Sequence, residues 1–173
     1  MKRLLTVTVM VFALSVLIFP LAGAEYKGDA IDKIRLIDTD IPRGFVYGSI
    51  PPFAQKVLKG NPWKMDREAI KRLAGKIYPD GNYMKIDDIH VSILARNTTP
   101  YGDDIVCYII VYKNISESKQ EIRKIMDYAG FNRDRAIVLS RENMVVFLHV
   151  DDVTDFPLIR DMAQKIEERL NQL

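Results

Sequence analysis

The sequence predicts an α+β domain: a mainly antiparallel sheet built from strand-strand-helix units, with amphipathic helices packed on it. Three observations carry that expectation. Pairs of short apolar runs are followed by segments of helical periodicity, in the order strand, strand, helix. The tight turn Arg141-Glu142-Asn143 joins two of those runs, and short connections force antiparallel pairing. The helices are apolar on one side only, so each has to lie on the sheet.

Taken in order, Ile34 and Leu36, then Phe45 and Tyr47, alternate as strand positions around the turn chemistry of Asp40-Ile41-Pro42-Arg43-Gly44. Pro51-Pro52 predicts the first turn of a short helix with Phe53, Ala54, Val57 and Leu58 on its apolar side. Asp66 predicts the N-cap of a clearer helix that buries Ala69, Ile70, Leu73, Ala74, Ile77 and Tyr78 and stops at Pro79-Asp80-Gly81. From residue 88, Ile89, Val91 and Ile93 alternate with His90, Ser92 and Leu94, the pattern of a strand with one wetter face. Ile105 to Tyr112 is apolar on both sides, which places it centrally in the sheet.

Ser118 and Glu121 have capping-box spacing ahead of Ile122, Ile125, Met126 and Ala129. Ala136–Leu139 and Met144–Val150 are the last two strands. Asp155 is expected to cap a final helix with Ile159, Met162, Ala163, Ile166 and Leu170 inward. Two-sided strands argue that something covers both sheet faces; the sequence leaves open whether the helices cover one face or both.

Residues 1–24 have the pattern of a cleaved export signal. Lys2 and Arg3 precede an apolar run, Pro20 breaks it, and Ala22-Gly23-Ala24 supplies small residues for cleavage. The expectation is one domain over residues 25–173, periplasmic or secreted, with no transmembrane segment after cleavage. Lys2 and Arg3 also account for the formal charge of +2 on the 173-residue chain. The remainder is balanced, so no net charge draws it to nucleic acid. The lone Cys107 excludes an intrachain disulfide framework, and its apolar surroundings predict a buried thiol.

Signatures of known chemistry are scarce. H-E-x-x-H, G-x-S-x-G and both glycine-rich phosphate patterns are absent. Ser116-Glu117-Ser118-Lys119 matches S-x-x-K, but its companion motifs are missing and helix capping accounts for it. Asn97 and Asn114 match the glycosylation pattern by chance. No cofactor is implied.

Two clusters remain. His90 and His149 lie on predicted strands, and Asp151 shares a face with His149. Were the two strands adjacent, the three side chains could form the centre of a small hydrolase or a metal-dependent enzyme. The second cluster is charge. Residues 56–76 hold seven Lys and Arg against Asp66 and Glu68, interleaved with aromatic residues, whereas residues 79–104 are acidic. Trp63, Lys64, Arg67 and Lys71 are the expected binding residues for a protein or an anionic envelope component. The expectation is therefore a non-enzymatic exported binding module, with the histidine enzyme as the alternative. Self-assembly through an exposed edge at residues 88–96 is a third reading.

Overall fold

The computed structural model describes residues 25–173; the expected export signal lies outside the described residues. The described chain is α+β, as expected. Its six-stranded antiparallel sheet comprises β1 (Phe45–Tyr47), β2 (Trp63–Lys64), β3 (Ile86–Arg96), β4 (Ile105–Tyr112), β5 (Ala136–Arg141) and β6 (Met144–Val150). The helices are α1 (Ile31–Ile34), α2 (Arg67–Ile77), α3 (Ile115–Phe131) and α4 (Phe156–Asn171). No described helix is long and apolar enough to cross a membrane.

The strand order is β1-β3-β4-β6-β5, and β2 also pairs with β3. β4 is therefore interior, as its two-sided apolar sequence requires. β1 and β2 do not form a hairpin with each other. Both lie against the same edge of β3, with Tyr47 opposite Leu94 and Trp63 opposite Val91. Between them the Asn61 amide takes the place of a strand: it donates to Ile93 O at 2.7 Å and accepts from Ile93 N at 2.9 Å.

Helices cover both faces. On one, α1 and α4 enclose Ile34, Leu36, Leu94, Ile109, Val146 and Ile159. On the other, α2 and α3 enclose Trp63, Ile70, Ile89, Ile110, Ile125 and Phe147. This arrangement corrects several expectations. His90 and Ser92 do not line a wetter face: both are buried on the side of the sheet that α1 and α4 cover. Residues 88–96 are no exposed edge, since β3 pairs on both sides. Ile34 ends helix α1 instead of lying on a strand, and residues 52–57 form turns instead of a helix.

Caps also moved. Asp66 does cap α2, accepting from Ala69 N at 2.9 Å. α3 begins four residues earlier than the Ser118 capping box implies. Asn114 is its cap, accepting from Glu117 N at 2.9 Å, while Ser118 and Glu121 are buried one turn further on. Asp155 precedes α4 without a side-chain capping bond. Its carboxylate instead receives two bonds from Arg96 Nη2, at 2.9 and 2.7 Å.

Candidate ligand-binding surfaces

The four expected binding residues are distributed over two faces. Trp63 is 7% exposed and packs in the core beneath α2, so it belongs to the interior. Lys64 is next to it on β2 and points to the opposite face, because side chains alternate along a strand; its Nζ is 3.1 Å from Asp88. Arg67 opens α2 but turns back onto the chain. Its guanidinium donates to Ile86 O at 2.6 Å and Tyr83 O at 3.1 Å and lies 5.8 Å from the Tyr83 ring centre. Lys71 alone of the four is exposed with neither an ion pair nor a side-chain hydrogen bond among the described residues.

Around Lys71 the outer side of α2 carries exposed Arg72 and Lys76, and the preceding turns carry exposed Lys56. Lys59 is tied to Asp66 at 2.8 Å. Phe53 projects from the same turns and is 86% exposed. Of the aromatic residues interleaved with this basic stretch, Trp63 and Tyr78 are core and Phe53 is outside.

The two histidines do not meet. His90 sits opposite Ile109 on the α1–α4 face, whereas His149 sits opposite Val106 on the α2–α3 face. β4 also separates their strands. Burial, with Arg35 adding to it, lowers the His90 pKa to about 4, so its ring is neutral at physiological pH. Burial also lowers the pKa of His149, although Asp151 opposes the shift. Among the described residues no group of three or more His, Cys, Asp or Glu side chains could hold a metal. Cys107 is buried as expected.

A groove on the α2–α3 face is the feature sequence reasoning missed. The two helices are tied together where Tyr78 meets Glu121, at 2.8 Å. Beyond that tie they leave the sheet open over Val106 and Tyr108. An apolar section of about 370 Å³ runs from Phe53 past Leu58, Leu73, Val91 and Ile93 to Tyr108. It meets a polar section of about 200 Å³ lined by Tyr108, Tyr128, Asp103, His149 and Asp151, and Lys76 borders both. Tyr108 stacks on Phe147 with ring centres 6.2 Å apart, and Tyr128 meets Phe147 edge-on at 6.0 Å. Burial, followed by the nearby Asp103 charge, pushes the Tyr108 hydroxyl up to about 12, so it stays a neutral donor. The available sequence signal was Tyr108 itself, a polar-tipped ring inside an otherwise aliphatic run.

No protein-family model, curated protein or solved structure matches the chain.

Proposed function

We propose that the protein is an exported, non-enzymatic binding module that docks on an anionic envelope surface. The observation that carries this reading is Phe53, 86% exposed beside cations that have no ion partner among the described residues. A large apolar side chain fully in water is expected to be covered when the protein works. Lys56 in the same turns and Lys71, Arg72 and Lys76 at exposed positions of α2 favour a negatively charged surface as the cover. The reading keeps Lys71 from the sequence expectation and replaces Trp63 with Phe53. It leaves Lys64 and Arg67 to their roles in the fold.

Cosedimentation with vesicles tests it. The full chain should pellet with phosphatidylglycerol-containing vesicles, remain free of pure phosphatidylcholine, and be released by salt. Replacing Lys56, Lys71 and Arg72 by Glu should weaken pelleting at least roughly a hundredfold, at about 1 kcal/mol per charge. Phe53→Ser should weaken it without changing the salt dependence. Equal pelleting on both vesicle types, or by the triple variant, would overturn the proposal. Lys64 and Arg67 are unsuitable for this test, because Arg67 holds the backbone at Tyr83 and Ile86.

A further inference from the structure

We propose that the α2–α3 groove is a binding site for a single-chain organic cation, with an ammonium head in the polar section and an alkyl tail along the apolar one. The tail end has the size and apolar lining of small-ligand pockets, roughly 300 Å³ upward. The head end is set by charge. Asp103 and Asp151 both line it, and neither forms an ion pair among the described residues. His149 is neutral and adds no competing cation. Among the lining side chains the two carboxylates face one cation, Lys76, while Arg135 donates to Asp151 O just outside the lining.

Aromatic surface adds to that complementarity. Tyr108 and Tyr128 flank the same section, backed by Phe147, and ring faces and edges of this kind attract an alkylated ammonium. Their hydroxyls have no hydrogen-bond partner among the described residues and border the groove. An anionic head would meet two carboxylates there. A neutral head would leave them uncompensated. The groove shares Phe53 and Lys76 with the proposed docking surface, but its head section is lined by Asp103 and Asp151, so the preference for an ammonium head is tested separately from docking on an anionic surface.

Titration calorimetry with decyltrimethylammonium, decyl sulfate and decanol, each below its aggregation concentration, decides the matter. The full chain should bind the ammonium saturably at one site and roughly tenfold or more tighter than either other probe. The double variant Asp103→Asn with Asp151→Asn should lose that preference. Both positions are exposed, and near-ultraviolet circular dichroism checks that the variant is folded. Tyr108→Leu should weaken the ammonium more than the alcohol. Every variant retains residues 1–24, so uptake by that apolar segment cancels in the comparison. Trp63, the only tryptophan, lies in the same core as Met65 and Val91, which line the tail section, and should change its emission as the groove fills. Sulfate or alcohol binding equal to the ammonium, undiminished preference in the double variant, or no saturable binding would each overturn the assignment.

Discussion

Glu121 is a fully buried carboxylate held by four donors. Tyr78 OH and Asn82 N reach Oε2 at 2.8 and 3.2 Å, while Lys124 and Lys85 Nζ reach Oε1 at 3.0 and 3.2 Å. Burial alone would raise its pKa. The bonds from Lys124, Tyr78, Asn82 and Lys85 outweigh burial and hold it below the usual carboxylate range. Removing the charge strands the hydroxyl pair Tyr78–Tyr112 beneath two lysines. Glu121→Ala should therefore cost about 3 kcal/mol, towards the lower end for a broken buried pair because both lysines still reach water. A urea melt measures this, and an unchanged midpoint would show that the tie between α2 and α3 is dispensable. Spacing marks Glu121 as part of a capping box and says nothing of Tyr78, which lies 43 positions away in the chain.

At the scale of elements, the β5–β6 turn is the clearest case of a short segment with long reach. Glu142 adopts φ 52°, a conformation that disfavours side chains with a Cβ. Asn143 beside it is buried. Its amide accepts from Tyr26 N at 2.7 Å and donates to Tyr26 O at 2.9 Å and Tyr112 O at 2.7 Å, joining the first described residues to the sheet. Glu142→Gly should raise stability by about 0.5–1 kcal/mol, and Asn143→Ala should lower it by about 2–3 kcal/mol. Thermal melts of both variants check the opposite signs. The turn, the central position of β4 and the Asp66 cap were legible because each depends on residues close in sequence. The α3 cap was not: Asn114 and Ser118 both have cap chemistry, and the burial of Ser118 is a tertiary fact. Ile34 and Leu36 misled for a related reason. Alternation over three residues fits a strand, and equally a helical turn followed by an extended residue. The groove was invisible because its walls come from six separate segments.

For the whole molecule, covering both sheet faces turns residues with a polar sequence pattern into buried ones, and this sets the response to acid. His90 titrates at about 4 in the folded protein, against about 6.5 when unfolded. Its folded pKa is the lower one, so its contribution is complete above about 6.5 and is lost as pH falls towards 4. The loss amounts to up to about 3 kcal/mol. His149 acts in the same direction. Glu121 adds a further loss below about 4.3, where the unfolded carboxyl begins to bind protons and the folded one does not. Urea midpoints recorded from pH 7 to pH 4 should fall steadily, and His90→Phe should flatten that slope. A wild-type midpoint that held constant over the interval would contradict the buried neutral histidine.

The Asn61 amide on β3 bears on colloidal behaviour. A long strand with idle backbone groups is a template for fibril growth, and very short neighbours are one natural defence. β1 and β2 are that short; in the gap between them Gly48 N donates to Ile93 O at 2.9 Å, which would still leave Ile93 N free to recruit another chain. One side-chain amide closes the gap, and a third contact, to Gly48 O at 2.7 Å, anchors it. Asn61→Leu should lower stability modestly and sharply shorten the lag before thioflavin-positive material forms. At this point of the edge the acceptor that Ile93 N meets is a side chain placed where a peptide group would otherwise be.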